Sequence, residues 1–108
     1  MTKLAIALIA ALTLSACAGS RALDVIMEHD GAISVTPSET AQNEWIVKAL
    51  PMSYAGYNAK NPEDRHNAAI RMVAKHCASP KVVSERVLNQ GTTLLGESRN
   101  TYFITVRC

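Results

Sequence analysis

The sequence has little surplus charge of either sign. Eleven basic residues stand against nine acidic ones, a formal net charge of +2. That leaves no excess to neutralise a phosphate backbone and excludes a strong polyanion binder, nucleic acid included. It also lacks length. At 108 residues it makes one domain at most, too small for a doubly wound nucleotide-binding fold or a barrel enzyme. No Gly-x-Ser-x-Gly, phosphate-cradling glycine loop or Cys-x-x-Cys occurs, and no carboxylate pair is spaced for a cleft. Repeats, low-complexity tracts and long charge blocks are also missing. The apolar fraction is 48%, enough for a packed core, but it is unevenly placed.

Twelve of the first 16 residues are apolar. Lys3 gives a short positive start. Leu4 to Leu14 then runs apolar for 11 residues, interrupted only by Thr13. As a helix this is roughly 16 Å long, about half the hydrocarbon thickness of a bilayer. The run is too short for a membrane anchor and fits the apolar segment of a signal peptide. The other reading of the same run is a buried N-terminal helix.

The run ends Leu14-Ser15-Ala16-Cys17. Here the sequence resembles the bacterial lipoproteins, whose lipobox is a leucine, two small residues and a cysteine. The resemblance covers the leader only. It implies a diacylglyceryl thioether on Cys17, cleavage between Ala16 and Cys17, and acylation of the new amino terminus. Ordinary secretory cleavage after Ala16 or Ala18 is the competing reading. In such lipoproteins of enteric-type bacteria an aspartate after the cysteine favours retention in the inner membrane. Ala18 at that position implies the outer membrane, with the domain in the periplasm. Three acyl chains at about 0.8 kcal/mol per methylene make such an anchor effectively permanent. The expected organisation is a signal peptide over 1–16, a lipidated N-terminus and tether over 17–31, and a folded domain over 32–108.

In that domain, Ile33 and Val35 suggest a short edge strand before Pro37. Ser38 to Asn43 is turn-like. Trp45 to Leu50 reads as a strand with Trp45, Val47 and Ala49 on one face, and Met52 to Lys60 reads as a loop. Asn61 and Pro62 mark a helix start, and Glu63 and Asp64 suit its first turn. Ala69, Met72, Val73, His76 and Cys77 form one helical stripe. Asn67, Arg71 and Lys75 face outward, and Ser79-Pro80 ends the helix. Lys81 to Asn89 reads as a strand with Val83 and Val87 flanking Glu85 on one face, and Gly91 to Asn100 as a long connection. Thr101 to Cys108 is the strongest strand, with Tyr102, Ile104, Val106 and Cys108 on one face. The fold class expected is α+β: one helix on a small, mainly antiparallel sheet.

With Cys17 assigned to the anchor, Cys77 and Cys108 remain as a pair in an oxidising compartment. One lies on the helix stripe and the other on the strand face that receives it. A bridge between them is expected to contribute roughly 3–4 kcal/mol.

No constellation of catalytic or metal-ligating residues emerges, and neither cofactor nor metal is expected beyond the lipid on Cys17. His66 and His76 differ in direction by about 80° on one helix and cannot chelate one metal. His29-Asp30 reads as a solvated turn. Arg86, Arg99 and Arg107 could meet an anionic partner along one side of the sheet. A merely solubilising face, alternating with Glu85 and Glu97, is the simpler reading. Leu94 and Leu95 suggest an apolar tip that either docks a partner or folds back. With Tyr54 and Tyr57 they form the candidate partner-binding cluster. The expectation is a non-catalytic envelope lipoprotein that binds or scaffolds an envelope protein. Small envelope lipoproteins serving as stress sensors or secretion accessories share this general make-up. A lipid-anchored inhibitor or ligand-binding module acting on a soluble periplasmic target is the alternative.

Overall fold

A computed structural model describes residues 22–108; the leader, the lipobox and Cys17 lie outside the described residues. Four strands form one antiparallel sheet in the order β1-β2-β6-β5. They are β1 (Ile33–Pro37), β2 (Glu44–Ala49), β5 (Lys81–Thr92) and β6 (Ser98–Arg107). A separate two-stranded hairpin is made by β3 (Ser53–Tyr54) and β4 (Tyr57–Asn58). Helix α1 covers residues 22–29 and α2 covers Pro62–Val73. The α+β class and the mainly antiparallel sheet are as expected.

The segment expected to be a tether is the first departure. Residues 22–29 are helical, and Met27 is fully buried in the core with Leu23 packed against it. Gly31, at φ 76°, ends the helix. Its N–H bonds to Glu28 O, while the next N–H, of Ala32, reaches back to Met27 O at 2.9 Å. This closure needs the left-handed conformation that glycine adopts without penalty. Two ion pairs fasten α1 to the end of α2 and the turn after it: Arg71 grips both carboxylate oxygens of Asp24, and Lys75 meets Glu28. Arg71 and Lys75 therefore hold a neighbouring helix rather than facing only water. The folded unit includes residues 22–31.

Helix α2 starts as its sequence indicates. The Asn61 side chain accepts from the Glu63 N–H, and Pro62 occupies the first turn. Ala68, Ala69, Met72 and Val73 are buried. The helix stops at Val73, six residues before Ser79. Beyond Ala74, the N–H groups of His76 and Cys77 both bond to Val73 O. This tight turn delivers Cys77 to Cys108, and the two form a disulfide with Cα atoms 5.6 Å apart. His76 leaves the apolar stripe and stacks on Trp45, with ring centroids 4.4 Å apart.

The core lies between α2 and one face of the sheet, where Val47, Ala49, Ile104 and Val106 are fully buried. Burying each larger aliphatic side chain is worth about 1.5–3 kcal/mol. Two expected loops are ordered structure. Met52 to Lys60 contains the β3–β4 hairpin, which turns through Gly56 at φ 88°. Gly91 to Asn100 is half strand, because β5 extends to Thr92 and β6 begins at Ser98, leaving a turn over 93–97. Finally, the β5–β6 register shifts between Val82 and Ser84. This bulge puts Val82 on the Val106 side and Glu85 opposite Ile104, leaving Val83 39% exposed instead of sharing a face with Glu85.

Candidate functional site

The sheet has two faces of opposite chemistry. On the face covered by α2, Glu85 rises from β5 into a charged cluster beneath the helix's first turns. Arg65 donates to both its carboxylate oxygens, and His66 Nε2 meets Oε2 at 2.5 Å. Arg65 is buried, its second terminal nitrogen donates to the carbonyls of Ala59 and Lys60, and its guanidinium lies 4.0 Å over the Tyr102 ring. Hydrogen bonding to Arg65 holds the Glu85 carboxyl below its ordinary range, against the opposing effect of burial, with His66 adding to the lowering. Beside this cluster Tyr57 is 3% exposed, and its hydroxyl has no partner. Burial pushes its phenol up to about 12. The cluster binds helix to sheet; no hydroxyl or thiol among the described residues is hydrogen-bonded to His66.

The other face is open. Residues directly opposite one another in antiparallel strands share a face. Lys48 and Arg86 both lie opposite Phe103, and Lys81 lies opposite Arg107. The alternation of β6 puts Arg99, Phe103 and Arg107 on this same side. Arg86 covers the Phe103 ring at 4.9 Å. Only Arg107 is neutralised, by Glu44 across the strand pair. Among the described residues Arg65, Arg71, Lys75 and Lys60 all have carboxylate partners, whereas Lys48, Lys81, Arg86 and Arg99 have none. Lys48 and Arg86 thus flank a half-buried phenylalanine, and Arg99 and Lys81 lie on the same side roughly 13 Å along the strands in either direction. Glu85 and Glu97 do not alternate with these cations on the open face. Glu85 points to the helix side, and Glu97 pairs with Lys60. The register of Lys48 and Arg86 on Phe103 was invisible in sequence, because it depends on strand order and on the bulge in β5.

The residues expected to form a partner-binding cluster are dispersed. Tyr57 belongs to the core. Tyr54 donates its hydroxyl to Asp30 at 2.8 Å, and that hydrogen bond is the first cause that raises the Tyr54 phenol above its ordinary pKa. Leu94 and Leu95 stand free at the β5–β6 turn, 107% and 90% exposed, so the tip does not fold back. His29 is a solvated neighbour of Asp30, as expected. An open cleft of about 550 Å³ lies at the other end, between the β1–β2 loop and the Trp45, His76, Cys77 and Cys108 group. No known protein family, curated protein or solved structure matches the chain.

Proposed function

We propose that this protein is a lipid-anchored envelope protein with a non-catalytic binding role, which recognises an anionic protein partner through the open face of its sheet. The observation that carries the binding role is the pair Lys48 and Arg86, neither with a carboxylate partner, set opposite Phe103 from either side, with the unpartnered Lys81 further along the same face. Arginine and aromatic side chains on a flat surface are the residue types that anchor protein interfaces. Cations without intramolecular partners favour an acidic counterpart and speed its approach. The lipobox ending at Cys17 supports attachment to a membrane, and Ala18 supports the periplasmic side of the outer membrane. The Cys77–Cys108 disulfide is consistent with an oxidising compartment.

The test is affinity capture of the intact protein from membranes, comparing wild type with Lys48→Glu/Arg86→Glu. The expected result is a partner captured by the wild type and lost with the reversed charges, while palmitate-analogue labelling is unchanged. Equal capture by both forms would remove the open face as the site. Cys17→Ser should abolish labelling and leave unprocessed precursor; normal labelling of that variant would overturn the anchor. Density-gradient fractions should place the wild type with outer-membrane markers.

A further inference from the structure

We infer that the β5–β6 tip is a second membrane contact, with Leu94 and Leu95 seated in the surface of the bilayer that holds Cys17. This rests on the lipid-anchored reading and adds to it an orientation of the domain. Three observations converge. The two leucines are adjacent, more exposed than any other large apolar residues described, and carried on a turn that projects beyond the core. The tip lies towards the N-terminal end of α2, because Glu97 in its turn pairs with Lys60 Nζ at 3.1 Å, two residues before Pro62.

The anchor end of α1 points the same way. Asp24 meets Arg71 in the last turn of α2 and Glu28 meets Lys75 in the turn just beyond it, so α1 runs in the same direction as α2. That register puts residue 22 level with Ala69, roughly 10 Å short of the start of α2 at 1.5 Å per residue. From there the backbone from Cys17 reaches at most ~17 Å. A lipid on Cys17 therefore holds this end of the molecule close to the headgroups, where a protruding apolar tip meets hydrocarbon rather than water. Arg99, flanking the tip on β6 and lacking a carboxylate partner, fits a headgroup phosphate. An apolar tip beside a cation is the pairing that bilayer surfaces favour.

The test uses the full, lipidated protein carrying Leu95→Trp, reconstituted into vesicles of phosphatidylethanolamine and phosphatidylglycerol with brominated acyl chains. The substitution sits on a fully exposed side chain and leaves the core untouched. Wild type supplies the control. Trp45 lies opposite Val106, seven residues along β6 from Arg99, about 23 Å at 3.3 Å per residue. The added emission should be quenched by the bromolipids and shielded from aqueous iodide, whereas Trp45 emission should be insensitive to bromine. Added emission that iodide quenches and bromolipid does not would overturn the tip contact. So would a photo-crosslinker at position 95 that captures a protein instead of lipid. Palmitate-analogue labelling on the same sample separates the two ideas: labelled protein with an unquenched tip defeats this inference alone, and unlabelled protein defeats the anchor as well.

Discussion

The covered and open faces of one sheet solve the same problem in opposite ways. Each carries arginine beside an aromatic ring, Arg65 over Tyr102 and Arg86 over Phe103. Beneath α2 the guanidinium is buried and meets the carboxylate of Glu85 with two hydrogen bonds. On the open face Arg86 has the ring and no carboxylate. A buried charge without a partner costs several kcal/mol, so Arg65, once buried, needs its carboxylate. Exposed cations cost almost nothing to leave unpaired. Their clustering is thus free to serve recognition, and stability cannot explain it.

The sharpest way to break this contrast is to remove Glu85. Glu85→Leu should lower unfolding free energy by about 3–5 kcal/mol, because Arg65 stays buried without a counter-ion. Adding Arg65→Met should recover much of the loss, as measured by urea denaturation. Next in size is the bridge that closes the covered face at its far end. Cys77→Ala or Cys108→Ala should each cost about 3–4 kcal/mol for the loop that the bridge closes, with the double variant no worse than the worse single one.

A smaller effect is expected in alkali. Tyr57 titrates at about 12 when folded and near 10 when unfolded. The folded state binds the proton more tightly, so this contribution is intact below pH 10 and is lost as pH rises from 10 towards 12. The total loss should amount to at most roughly 2.7 kcal/mol and disappear in Tyr57→Phe. On the open face, Arg86→Gln or Lys48→Gln should shift stability by less than about 0.5 kcal/mol, even where capture of a partner is lost. A large destabilisation by either would show that this face is structural too.

The local elements were the legible part of the fold. Asn61-Pro62 announced α2 because capping is a matter of adjacent residues, and Thr101–Cys108 announced β6 by simple alternation. The pairing of Cys77 with Cys108 followed from the faces those two elements present. Helix α1 was missed although its signals were present. Leu23 and Met27 are spaced i, i+4 and Gly31 stands where a helix ends, but its stability comes from Asp24 and Glu28 finding partners 47 residues away. The register of β5 was hidden for a different reason. A bulge inverts every later side chain, and nothing in Val82-Val83-Ser84 states where it falls. The candidate site depended on that register. Alternation along β6 put Phe103 on the Arg107 side, but not Lys48 and Arg86 opposite its ring, while Tyr57 looked like a contact residue and is core.

The interruptions in β5 have a consequence for how the protein keeps to itself. This strand is 12 residues long and forms one border of the sheet. Val83, Val87 and Leu88 on it are all substantially exposed. A straight border of that length would offer backbone donors and acceptors to any other extended chain, the route by which β-proteins polymerise. The register shifts at Val82/Ser84 and Asn89/Thr92 divide it into three short runs, and Lys81 and Arg86 place like charges where another copy would have to pair. At the opposite border β1 ends in Pro37, which has no N–H to give. Copies of the chain brought close together are thereby hindered from zipping into fibres through their sheets.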